Sequence, residues 1–219
     1  SFSASFTRNT RDDIAEPTRG TLVAMDGTLA ARAVGSQVGF VRAMVQAFSY
    51  RSVPLVGGSV VATGVRLGLG SLFSQTTSAG PTGRDLPASE RFFAGGDNTV
   101  RGFAQDRLGA AGVLDRNGVS NGGNALLVFN GELRFPLATL PWLSTRLGGA
   151  VFVDVGNVFA RVGDIDLGEL RTGMGFGIRA RSPVGPLRID LGWKLTRRRF
   201  DNGKKEPGFS PYISIGQAF

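Results

Sequence analysis

The 219-residue chain contains no cysteine and no histidine. That excludes thiol nucleophiles, His-dependent triads and the usual Cys/His zinc sites. No G-x-G-x-x-G or P-loop pattern occurs, and no Ser–Lys spacing suggests a nucleophile with its base. Asp164-Ile165-Asp166 has the form of a metal-binding D-x-D, but no further ligand cluster accompanies it, so a solvated turn is expected. Arg197-Arg198-Arg199 with Lys204 and Lys205, in a chain of net charge +8, could meet a polyanion. Aromatics do not interleave with that run in a stacking pattern, so nucleic acid is not the expected partner, and a solvated loop is expected ahead of contact with anionic lipopolysaccharide. No enzymatic chemistry, metal or cofactor is expected.

The elements that carry these residues are strands. Glycine supplies 33 of the 219 residues, about twice the usual share of ~7%, and it interrupts almost every helical window. No run of 18 apolar residues is present, so no transmembrane helix is expected. Period-two alternation is clear instead. In Arg171–Arg181 the even positions Thr172, Met174, Phe176, Ile178 and Ala180 are mostly apolar, while the odd ones read Arg, Gly, Gly, Gly, Arg, Arg. From Leu187 to Thr196, Leu187, Ile189, Leu191, Trp193 and Leu195 oppose Arg188, Asp190, Gly192, Lys194 and Thr196. The same pattern marks Phe2–Arg11, Thr21–Arg32, Phe40–Arg51, Val60–Leu72, Asn124–Phe135, Thr145–Phe159 and Ser210–Phe219, nine strands in all. Most are near the ~9–11 residues of a membrane-spanning strand.

Short or proline-marked turns are expected at Asp12–Gly20, Ser52–Ser59, Pro136–Pro141 and Ser182–Pro186. They alternate with polar connections at Ala33–Gln37, Ser74–Gly123, Arg161–Glu169 and Arg197–Gly208. That rhythm suits an antiparallel outer-membrane barrel. A soluble sandwich would alternate too, but its polar face would be fringed with Lys and Glu. Here that face is mostly Gly, Arg, Asn and Ser, which suits a confined interior. A mid-membrane Arg or Lys on the apolar face would cost ~2–4 kcal/mol, and that face is nearly free of charge. Nine strands cannot close an all-antiparallel barrel. The chain opens Ser1-Phe2-Ser3-Ala4, without initiator Met or signal peptide, and so reads as the C-terminal part of a larger barrel. Ser74–Gly123, about fifty residues long, is too long for a passive hairpin connection and is a functional-loop candidate.

At the centre of that loop, Glu90-Arg91-Phe92-Phe93-Ala94-Gly95-Gly96 precedes Val100-Arg101-Gly102-Phe103. The pattern resembles the sixth extracellular loop of the BamA/TamA-type outer-membrane assembly factors. These belong to the bacterial surface antigen superfamily, which also holds the translocators of two-partner secretion. GELRFP (Gly131–Pro136) and FVDVGNVF (Phe152–Phe159) resemble the two strands that follow the loop. SPVGPLRIDLG (Ser182–Gly192) and ISIGQAF (Ile213–Phe219) resemble the last two strands, and EPTRG in Asp12–Gly20 resembles a periplasmic turn. The resemblance runs over the whole chain.

It implies an all-β, antiparallel transmembrane barrel of sixteen strands, of which residues 1–219 supply the last nine. Some seven N-terminal strands and any POTRA domains would be absent, and the 74–123 loop would fold into the lumen. Arg101 would pair there with Glu132 and Asp154, both of which already fall on the polar parity of their strands. A buried guanidinium left unpaired would cost ~3–5 kcal/mol, so this trio is expected to lock the loop. Gly95, Gly96 and Gly102 would let the loop turn sharply, with Val100 and Phe103 completing the motif. Ile213, Ile215 and Phe219 would form the terminal insertion signal, from which Gln217 departs, and Gly216 would loosen a seam that templates client strands. Trp142 and Tyr212 read as interfacial anchors or lumen packing.

The implied function is folding and inserting β-barrel proteins in the bacterial outer membrane, through seam templating and local bilayer thinning. The implied partners are the lipid bilayer with lipopolysaccharide, client barrels and periplasmic accessory proteins. A two-partner secretion pore and a solute porin are the alternatives.

Overall fold

In the computed structural model, residues 1–31, 38–55, 57–74, 85–140, 145–180, 185–200 and 202–218 are described. Among them nine strands form one sheet in chain order, each antiparallel to the one before. They are β1 (Phe2–Asn9), β2 (Gly20–Ala30), β3 (Gly39–Val53), β4 (Ser59–Ser74), β5 (Ala125–Leu140), β6 (Thr145–Phe159), β7 (Arg171–Ala180), β8 (Leu187–Lys194) and β9 (Phe209–Ile215). Each expected alternating segment lies on one of them.

Two ends differ from the sequence reading. A turn is expected from Pro136, yet β5 continues to Leu140 with a register shift between Pro136 and Ala138 against β6. A residue without an N–H is tolerated in a sheet at such an irregularity. At the other end β9 stops at Ile215 because Gly216 takes φ +98° and donates its N–H to Pro186 O at 2.8 Å. Alternation ends there. Gln217 therefore does not continue the apolar face, but sits half-buried beside a buried Ala218. Phe219 and Trp142 lie outside the described residues.

Burial is inverted relative to a water-soluble sheet. Along β7 and β8, Met174, Phe176, Ile178, Leu187, Ile189 and Trp193 are exposed, whereas Arg171, Arg179, Arg188, Asp190 and Lys194 are buried. Buried charge beneath exposed large apolar residues is informative, because an aqueous surface would select the opposite. From β3 to β9 the inner face is covered by residues 85–124, the described part of the connection from β4 to β5, whereas β1 is exposed on both faces. Phe92, Ala94, Val100, Phe103, Leu108 and Val113 of this loop pack on Leu126, Val128 and Val158 of β5 and β6. The apolar core thus lies between the loop and the wall.

The first short connection is organised by an aspartate. Asp12 Oδ1 accepts from the backbone N–H groups of Thr18 (2.9 Å) and Arg19 (3.1 Å), and Oδ2 accepts from the Thr18 hydroxyl. The hydroxyl bond first, and then the two backbone donors, hold the Asp12 carboxyl well below the usual carboxylate range.

Candidate functional site

The sheet register stacks inward-facing charges in rows. Asn130, Asp154, Gly173 and Lys194 pair in succession across β5 to β8. One level along the strands the row is Glu132, Phe152, Gly175 and Gly192, and the next is Arg134, Ala150, Gly177 and Asp190. Gly173, Gly175 and Gly177 leave β7 without side chains down the middle of this array. A Cβ on Gly173 would collide with Arg101 O, and one on Gly177 with the Asp190 carboxylate. Gly173 is therefore the seat of the loop tip, while Gly175 makes room for the Phe152 ring and Gly177 for the Asp190–Arg179 pair.

Arg101 occupies that seat with 1% of its surface exposed. Its Nε and Nη2 donate side-on to Asp154 Oδ2 (2.7 Å) and Oδ1 (3.0 Å), and its backbone N–H adds a third bond to Oδ2 at 3.0 Å. Nη1 donates to Glu132 Oε2 and lies 3.5 Å from Asp190 Oδ2. The guanidinium carbon stands 3.6 Å from the centre of the Phe152 ring. This is the planar fork that suits carboxylates, and a lysine could not reproduce it.

The network extends beyond the expected trio. Arg134 Nε donates to Glu132 Oε1 at 2.8 Å, and Arg179 bridges Glu132 (3.2 Å) and Asp190. Arg188 reaches the loop, donating to Asp97 Oδ2 at 2.6 Å and Asn98 Oδ1 at 3.1 Å. Asn130 Nδ2 donates to Asp154 Oδ1 (2.8 Å) and Thr99 O (2.6 Å). Four arginines thus face Glu132, Asp154, Asp190 and Asp97, and a fifth, the buried Arg66, joins them by donating to Asn130 Oδ1 at 2.6 Å. Direct pairing of this kind offsets the cost of removing charges from water.

Parity puts Arg179, Arg188, Asp190 and Lys194 on the inner face, but nothing in the sequence pairs them with Arg101. Their partners follow from register.

The loop motif is held by backbone geometry. Gly95, Gly96 and Gly102 have φ of +106°, +102° and +98°, a region that side chains disfavour. Gly102 lies against β8, where a Cβ on Gly192 would come within 2.6 Å of Gly102 N. Val100 and Phe103 are fully buried. The last strand also grips this segment: Gly102 N donates to Tyr212 Oη (2.9 Å), Tyr212 Oη donates to Phe103 O (2.7 Å), and Ser210 Oγ donates to Gly102 O (3.1 Å). Tyr212 is therefore a clasp on the loop backbone, a role its sequence position does not reveal. Ile213 and Ile215 face outward and are exposed, on the opposite side of β9.

A second cluster lies above Phe103. Arg171 places both terminal nitrogens on Glu206 (3.0 and 2.7 Å), and Lys194 Nζ lies 3.2 Å from the same carboxylate. Both cations stand 4.7 Å from the Phe103 ring centre. Arg197 and Arg198, from the basic run, donate to Glu206 O (2.8 Å) and Gly109 O (2.7 Å), so these two fasten the last long connection rather than simply meeting solvent. Burial alone would push the Glu206 carboxyl up, but the Arg171 hydrogen bonds and charge, aided by Lys194, outweigh it and hold the group below its ordinary value. Asp166 caps its own turn by accepting from Gly168 N at 2.8 Å. Among the described residues, no group of three or more acidic side chains is arranged to hold a metal ion.

Residues 1–219 match the Omp85 superfamily domain over their whole length. The outer membrane protein assembly factor BamA of Nitratidesulfovibrio vulgaris is 25% identical over 223 residues, covering 98% of this chain and 25% of that protein. A SAM50-like protein of Schizosaccharomyces pombe is 30% identical over 138 residues, covering 63% of this chain and 26% of its own length. The chain thus spans about a quarter of these relatives. In three dimensions it is similar to the crystal structure of BamA from Haemophilus ducreyi lacking POTRA domains 1–3. The TM-score is 0.71 at 21% identity, over 97% of this chain and 41% of that one, a likeness of fold.

Proposed function

Because the chain belongs to the Omp85 superfamily, we propose that it forms the last nine strands of a sixteen-strand barrel that folds and inserts other β-barrel proteins. Its setting is an outer membrane, and we assign it to a bacterial one. The observation that carries this reading is Arg101, held between Asp154 and Glu132 on the inner wall. The lock keeps residues 85–124 inside the curved sheet, so the wall encloses packed protein where an open solute pore would have water. Nothing in this arrangement calls for a nucleotide or a cofactor.

The chain's own residues do three things in this proposal. Arg101 and its carboxylates fix the loop against β5, β6 and β8. The exposed apolar face formed by residues such as Val151, Phe176 and Ile189 meets hydrocarbon. The outer edge of β9, with N–H and C=O groups that β8 does not use, offers a template to an incoming client strand. Client barrels and periplasmic accessory proteins are the proposed partners.

The test is the intact protein carrying Arg101→Glu, with the yield of folded, heat-modifiable client barrels as readout. A strong loss is expected, with part of it restored when Asp154→Arg is added. Full activity in the single variant would remove the lock from the mechanism. Steady, large conductance of the unaltered protein in planar bilayers would favour a solute porin instead.

A further inference from the structure

On the outward face of the sheet a depression of about 690 Å³ opens over β4 to β8. It lies within the ~300–1,000 Å³ range of small-molecule sites. Gly131 lines it together with Leu133, Val151, Val153, Met174 and Trp193. Gly131 needs explanation. Its φ is not left-handed, and a Cβ there would meet nothing nearer than Val153 O at 3.7 Å. Neither backbone nor packing requires glycine at this position. A glycine inside a strand weakens it, and often marks a place where a ligand or another backbone comes close. Gly149, also outward-facing on the next strand, is different, because a Cβ there would stand only 2.6 Å from the Phe135 ring, which already fills its space.

We propose that the Gly131 depression is a seat for one acyl chain of a bilayer lipid. Three observations select that occupant. The walls are aliphatic, aromatic or thioether groups, so the site takes hydrocarbon. It is continuous with the exposed apolar belt of Phe129, Val151, Phe176 and Ile178, which is the face turned to the membrane. Trp193 sits between Phe176 and Phe209 in tilted contacts, with ring centres 5.5 and 5.1 Å apart, and the three rings make an aromatic rim along one side. A chain held here lies one residue from Glu132, on the opposite side of the wall from the Arg101 network. The site depends on the outward face meeting lipid and not on the assembly activity.

The experiment places the intact protein in vesicles of phosphatidylethanolamine and phosphatidylglycerol, with a trace of phosphatidylglycerol carrying a diazirine midway along one acyl chain. After photolysis the adducts are mapped by mass spectrometry. Adducts are expected to concentrate on Gly131, Val153 and Met174 relative to equally exposed belt residues such as Ile178 and Ile189. Gly131→Leu fills the depression and should abolish that concentration while belt labelling persists. Gly131→Ala, whose added methyl has room, is the control should the larger side chain impair folding, and it should reduce the concentration. Uniform labelling of the belt, or an unchanged pattern in both variants, would overturn the proposal. So would selective protection of the depression, which would indicate a protein partner covering it.

Discussion

At Arg101 the chain takes a guanidinium out of water, and the cost is offset because Asp154 meets its side-on edge while Glu132 and Asp190 lie about its far nitrogen. Removing one member of such a set strands the others, at ~3–5 kcal/mol. Arg101→Lys is expected to keep the charge and lose the fork, giving client assembly between that of the unaltered protein and Arg101→Glu. Tyr212 carries a smaller share. Tyr212→Phe deletes one accepted and one donated hydrogen bond to the loop backbone, worth about 1 kcal/mol each. Limited proteolysis of residues 85–124 should quicken in that variant while the sheet stays intact. If the nicking rate is unchanged, the clasp on the loop is not energetically significant.

At the scale of elements, close approach decides where the loop can rest. Gly192→Val would push its side chain into Gly102 and displace the loop from β8, an overpacking cost of ~1–3 kcal/mol. Thermal unfolding in detergent should move to lower temperature. The connection from β8 to β9 responds to pH through Glu206, whose folded value is depressed. The stability it contributes is fully present above the ordinary carboxylate value of about 4.3, and is lost as pH falls through the depressed folded value. Protease cleavage within residues 195–208 should therefore rise on acidification to about pH 3. Glu206→Gln should flatten that dependence and raise cleavage at neutral pH. A pH response that survives this substitution would assign it to another group.

Across the whole molecule the inverted burial makes the sharpest prediction. Leu191→Arg puts a charge on the outward face in the middle of β8. In a bilayer this should destabilise folding by ~2–4 kcal/mol, as read by denaturant titration in vesicles. On a water-facing sheet the same change would be nearly silent. Among the described residues, β1 and β9 each have one strand neighbour, so both edges of this sheet can take further strands.

The phase of every strand was legible in the sequence, because in an extended chain a residue's face follows from its own index and that of its neighbours. That local rule put Glu132, Asp154, Arg179, Arg188 and Asp190 on one face, and the loop motif around Arg101 stood out through resemblance. What tertiary structure alone decided is who meets whom. Register brings Asp190 and Arg179 beside a loop arginine, and glycines on β7 and β8 clear the space it enters. The irregularity at Pro136 and the turn at Gly216 likewise depend on hydrogen-bond partners supplied by other segments. Such contacts are settled by the pairing and curvature of distant strands, and period-two alternation carries no record of either.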